Sequence, residues 1–131
     1  MELHIAVSPG ELIDRITILE IKQARIRDPK KLFNVNRAYA SLSKILSTEI
    51  LCTPRLTELN GELKAVNEAL WQAEEAVRDH ERRQSFDSHF IDAARMVYLS
   101  NDRRSRLKRQ IDELLGSPLI EEKFYESTQS G

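Results

Sequence analysis

One run near the N-terminus, SPGELIDRITILEIKQARIR at residues 8–27, constrains the fold more than any other stretch. Ser8 followed three residues later by Glu11 is a capping box, and Pro9 occupies the first helical position, where a missing N–H costs nothing. The helix therefore starts at Ser8. At about 100° per residue, Leu12, Ile13, Ile16, Leu19, Ala24 and Ile26 share one broad face, while Ile18 and Ile21 point roughly the other way. A helix apolar on both sides is central to a bundle or shared between subunits.

The rest of the chain has to supply what that helix packs against. With 131 residues, the length predicts one domain, 1–131, large enough to bury a core without staples. Charged residues are plentiful, aromatics scarce, and there are four Gly and four Pro, a mixture that favours helices. The net charge of −1 gives no global basic field to recruit nucleic acid or an anionic membrane. Cys52 stands alone, so neither an internal disulfide nor a thiolate metal knot can form, and a reducing compartment fits best. No basic-then-apolar leader follows Met1, and no window reaches the roughly eighteen apolar residues of a membrane span. A soluble, cytoplasmic protein with no membrane contact is expected.

In chain order, residues 2–7 alternate Leu3, Ile5 and Val7 against His4 and Ala6, which is strand periodicity over a short length. The one other segment able to supply a partner is the tail LIEEKFY at 119–125, which pairs either with this strand or with its own copy in another subunit. Asp28-Pro29 stops the first helix and starts a second over residues 30–47, whose stripe is Leu32, Val35, Tyr39, Leu42 and Leu46. Thr53-Pro54 opens a third over 54–82, where Leu56, Leu59, Leu63, Val66, Leu70, Ala73 and Val77 alternate steps of three and four as in a heptad seam. Gly61 lies outside that seam. With Ser85 as a cap, a fourth helix runs over 86–115 until Gly116 and Pro118. The expected fold is all-α: four principal helices, the last two a long antiparallel hairpin, with a short N-terminal strand and an irregular C-terminal tail.

Polar residues that break into apolar stripes are the candidates for function. Glu20 projects between Ile13, Ile16 and Ala24; Glu74 and Glu81 continue the edge of the leucine seam near Trp71; and Asn101, Arg104 and Lys108 occupy the middle of the stripe set by Phe90, Ala94, Val97, Ile111 and Leu115. Unpaired buried charge is too costly to keep, so these acids and bases are expected to meet in one cluster. The cluster reads first as an internal salt-bridge network fixing helix register, and second as a pocket where Arg104 and Lys108 hold an anion beside Glu20 or Glu81. The candidate ligand-binding set is Glu20, Glu81, Asn101, Arg104 and Lys108, with no catalytic residue identified.

Other signals are weaker. Glu11 and Asp14 look like the ExxD half of a metal-dependent nucleotide hydrolase, but such a site needs a second paired-carboxylate helix facing it. His80 and His89 flank a turn without the spacing of a helical metal pair and read as surface or helix-end residues. RRSRLKR at 103–109 spreads its charge around the whole helix rather than along one face, so it reads as mostly solvated charge. No metal or cofactor is expected.

Two stretches carry a resemblance: SPGELIDRITILEIKQARIRDP at 8–29 and HERRQSFDSHFIDAARMVYLSNDRRSRLKRQIDELLGSPLIEEKFY at 80–125. They resemble a family of short bacterial proteins with a GELIDKITILEIK-like start and a later NDRR-LK segment, a domain of unknown function. Lys is usual in that family where Arg15 stands here. The resemblance implies a compact bacterial protein and no particular activity. It places Glu11, Asp14, Glu20, Lys22, Asn101, Asp102, Arg103, Arg104 and Lys108 within its two signature segments.

The sequence favours a non-enzymatic interaction or assembly module. A small-molecule enzyme or an anion-binding protein (phosphate or nucleotide type) using the cluster is the alternative, and nucleic-acid binding ranks below both. A homo-oligomer, in the first place a dimer, is expected because Ile18, Ile21, Met96, Leu107 and Leu114 lie off the main stripes, and a further protein partner fits the same surface.

Overall fold

The computed structural model describes residues 1–119, and every regular element among them is a helix. The four are α1 (Pro9–Arg25), α2 (Pro29–Glu49), α3 (Pro54–Arg83) and α4 (Ser88–Leu114). Three begin where cap-plus-proline signals stand. Ser8 Oγ accepts from Glu11 N at 3.1 Å, Asp28 Oδ1 from Lys30 N at 3.4 Å, and Thr53 Oγ1 from Leu56 N at 3.2 Å. The fourth start differs from expectation: the cap is Asp87, not Ser85. Its carboxylate accepts from both His89 N and Phe90 N, satisfying two orphan donors where a hydroxyl would satisfy one. Those hydrogen bonds hold the Asp87 carboxyl below its ordinary pKa.

The expected N-terminal strand does not form. Leu3 and Ile5 are exposed and pair with no strand among the described residues, and an alternating segment without a ladder partner cannot hold strand geometry. Its proposed partner and the irregular tail fall at 119–125 and beyond, outside the described residues save Leu119.

α1 is central, as its two apolar sides require: it touches α2, α3 and α4. It buries Leu12, Ile13, Ile16 and Ile21, while Ala24, expected on the broad face, is exposed because the helix ends beside it. The core joins Ile13 to Leu56, Leu59, Leu63 and Val66 of α3 and to Leu107 and Ile111 of α4. Burying each of the largest of these contributes about 1.5–3 kcal/mol. Leu107, placed off the stripe from sequence, is a core residue, since α4 turns that face toward α3. Outside the seam, Gly61 is exposed. α2 lies along α1 with no fully buried residue and meets the core at its C-terminal end through Leu46 and Ile50.

α3 and α4 make the most extensive helix pairing. Gln84 takes the left-handed conformation at φ 53°, and Ser85 N donates to His80 O, which closes the C-terminal end of α3. His80, read from sequence as a surface or helix-end residue, stands in the last turn of α3 and is buried there. Its Nδ1 lies 2.9 Å from the Ser85 carbonyl and its ring meets Phe90 edge-on, because an imidazole can close the turn and still pack. α1 is about 25 Å long and α3 about 45 Å. Since α1 ends at Arg25 against Trp71 and Glu75, the last turns of α3 and the first turns of α4 run past it as a two-helix arm.

Candidate functional site

α1 and α4 meet through a ladder of polar contacts in which each step along α1 is a step back along α4. Gly10 N donates to Asp112 Oδ1 at 2.7 Å, Lys108 Nζ to Glu11 Oε2 at 2.6 Å, and Arg104 grips Asp14 with two bonds, Nε to Oδ1 at 2.9 Å and an Nη to Oδ2 at 2.5 Å. The spacing 104, 108, 112 is one helical turn per rung. Gly10 lets the backbones approach, since a Cβ there would meet the Lys108 carbonyl oxygen at 2.4 Å.

Asp14 is the centre of the arrangement. Its side chain is 1% exposed, against 28% for Arg104, so the pair is desolvated mainly on the acidic side. Beyond the two-pronged Arg104 bond it accepts from Asn67 Nδ2 at 2.9 Å. The same Nδ2 donates to Thr17 Oγ1 at 2.9 Å, and the Thr17 hydroxyl in turn donates to the Asp14 backbone carbonyl at 2.7 Å. Three helices therefore converge on one carboxylate. Glu11 sits at the rim: burial pushes its pKa up, but hydrogen bonds and charge from Lys108 and Arg15 outweigh that and hold it below the ordinary value.

The cluster thus forms around carboxylates other than those expected. Arg104 and Lys108 are in it, facing Asp14 and Glu11. Glu20 lies elsewhere, 3.9 Å from Lys64 on a partly solvated flank of α1, since its position turns toward α3 rather than α4. Glu81 is exposed near the end of α3. Asn101 is exposed as well, but borders a cleft of about 480 Å³ that Arg104 also lines. Within RRSRLKR, Arg104 and Lys108 turn toward α1, while Arg103 and Arg109 are exposed. The helix facing Glu11 and Asp14 offers Arg104 and Lys108 rather than a second carboxylate pair, so the hydrolase-like ExxD reading fails on its own requirement. Among the described residues no group of three or more His, Cys, Asp or Glu could hold a metal ion.

The cleft is walled by Ile18, Leu70 and Trp71, with Asn67 in its lining. A second, smaller hollow of about 250 Å³ lies where α2 meets the start of α3, beside the exposed Cys52. No helix among the described residues is long and apolar enough to cross a membrane.

The model for the family described as "Family of unknown function (DUF6165)" matches residues 3–131. The chain belongs to that family. The match spans the middle helices as well as the two end segments that carry the resemblance in the sequence. No match is found among curated proteins or among solved structures.

Thr17, Asn67 and Asp112 are not among the candidates that the sequence offers, and Glu11 figures there only in the capping box and the ExxD pattern. Small or polar residues at Gly10, Asp14 and Thr17 recur with helical spacing on α1, as do the charged residues Arg104, Lys108 and Asp112 on α4. Matching those two series as facing stripes would have paired them. Asn67 had no comparable signal, being a single polar residue beside an unbroken leucine seam.

Proposed function

We propose that this chain is a non-enzymatic helical assembly module that pairs with a second copy of itself through its antiparallel α3–α4 hairpin. One observation carries the reading. On the arm beyond α1, Phe86, Ile91, Met96 and Tyr98 are each about half exposed. Ile91 and Tyr98, seven residues apart, share one face of α4. Two helices bury one seam between them and leave their outer faces to water; two such hairpins close into a four-helix bundle, and two-fold pairing is the commonest closure. The flanking charges Asp79, Arg82 and Arg83 are of mixed sign, so like copies are not driven apart.

The rival reading, an anion site on Arg104 and Lys108, loses support because both cations hold carboxylates of α1 in the same fold. That favours a register-fixing role over binding or catalysis.

Light scattering tests the proposal. At micromolar concentration the mass should be twice the 15.2 kDa of the chain, and the double variant Ile91→Glu/Tyr98→Glu should fall to the single-chain mass with its helical circular dichroism unchanged. A wild type that stays at the single-chain mass across that range overturns it.

A further inference from the structure

We infer that the outer face of α4 is an interaction surface whose partner is the chain's own C-terminal segment, IEEKFYESTQSG at 120–131. The segment docks there as an intramolecular strap, its acidic start against Arg106 and Arg109 and its middle over Asp102. The inference goes beyond the assembly reading and holds whether or not the arms pair.

Asp102 is the observation that carries it. The residue is 5% exposed, yet it stands on neither packed face of α4. That helix turns Leu107 and Ile111 into the core and Arg104, Lys108 and Asp112 toward α1. At 100° per residue, Asp102 lies about 140–180° from the first pair and about 120° from the middle of the second set. Its companions on that side are open: Ile91 and Tyr98 are about half exposed, and Arg109 and Glu113 are exposed. A short acidic side chain on such a face is ordinarily wet, so other chain must cover it. Among the described residues, α4 packs against α1 and α3 and no other helix, and residues 1–7 are exposed along their whole length. The cover falls to the chain past Leu119.

Reach and charge agree with that. Gly116, at φ 64°, and Ser117 donate their N–H groups to Glu113 O and Asp112 O, a Schellman turn that takes the chain off the axis of α4. From Leu115 back to Asp102 is about 20 Å along the helix, and six residues beyond Leu119 span at most about 20 Å, so Tyr125 can just reach the level of Asp102. Burying a carboxylate favours a donor or cation over it, and Lys123 and Tyr125 bring an ammonium and a hydroxyl to that level. Between the two ends stand Arg109 and Arg106, and the segment opens with Glu121 and Glu122, so opposite charges meet in order. Tyr98, one turn beyond Asp102, is half exposed, which ends the covered track between them.

A spin label tests this on the full chain. Cys52 is its one cysteine, so Cys52→Ser with Ser127→Cys carries a single nitroxide just past the proposed contact. In heteronuclear spectra of the isotope-labelled protein, amides at 98–106 should lose intensity that returns when the nitroxide is reduced, while amides at 44–49 keep theirs. The loss should persist when the sample is mixed with an excess of unlabelled chain, because the label then reports on its own molecule. Glu121→Lys/Glu122→Lys, which sets like charge against Arg106 and Arg109, should remove most of the loss with the circular dichroism unchanged. The inference is overturned if 98–106 are affected no more than 44–49, or if charge reversal leaves the loss intact. It is equally overturned if the loss disappears on mixing, which would seat the segment on a second copy.

Discussion

At the scale of single residues, Asp14 sets the terms. A carboxylate this deeply buried keeps its charge only where bonds from the protein replace water, and Arg104, Asn67 and the geometry of Thr17 provide them. Lys108 answers a different group, because Glu11 is a quarter exposed and is also held by Arg15. The two cations should therefore differ in worth. Arg104→Met strands a buried charge and should cost about 3–5 kcal/mol, whereas Lys108→Met should cost about 1 kcal/mol or less, as for a partly solvated pair. Urea denaturation of both variants measures the difference, and equal losses would mean that burial of Asp14 is not what matters. The site was half legible in the sequence for the same physical reason. Arg104 and Lys108 are long cations interrupting an apolar stripe, and their need for partners can be read from that position. Which carboxylates answer them depends on the rotation of α1 against α4, and one turn separates Asp14 from its near neighbours. Helical spacing made Glu20 the favoured partner, but it faces α3.

At the scale of elements, the helix starts were legible because each is a local event: a side chain at Ser8, Asp28 or Thr53 reaches a backbone N–H two or three residues on, and proline follows directly. The short N-terminal alternation misled because periodicity records what a strand would look like, not whether another strand is present to bond with it. Two glycines show how the same element rule inverts with surroundings. Gly61 is inside α3, exposed, with open space around the position of a Cβ. Gly61→Ala should stabilise the protein by about 1 kcal/mol through backbone entropy and helix propensity alone. Gly10 is also helical, yet a Cβ there would lie 2.4 Å from the Lys108 carbonyl oxygen and 2.9 Å from Asp112 Oδ1. Backbone cannot yield as a flexible side chain can, so Gly10→Ala should force α1 and α4 apart and destabilise by roughly 1–3 kcal/mol. Opposite signs in thermal or urea melts are the expected result, and a neutral Gly10→Ala would show that the α1–α4 ladder has slack.

At the scale of the whole molecule, stability is unevenly distributed. One end carries the core cluster of Ile13, Leu56, Leu59, Leu63, Val66, Leu107 and Ile111 together with the Asp14 network. The other end is the arm, where the buried side chains of α3 past Asn67 are Ala73 and His80 and where α4 buries nothing before Ser100. Small and polar groups return little on burial, so the arm should open without the core opening, a separate cooperative unit of low stability in a lone chain. Amide hydrogen exchange resolves the two ends. In dilute protein, amides at residues 76–96 should exchange well before those at 56–67 and 104–112. Pairing of arms through Ile91 and Tyr98 would link that protection to concentration, because association adds free energy only to the segment it covers. Protection at 76–96 should therefore rise as the chain is concentrated, with the core amides unchanged, and the rise should vanish in Ile91→Glu/Tyr98→Glu. Exchange that is uniform along α3 and α4 at every concentration would contradict both the uneven core and the assembly that depends on it.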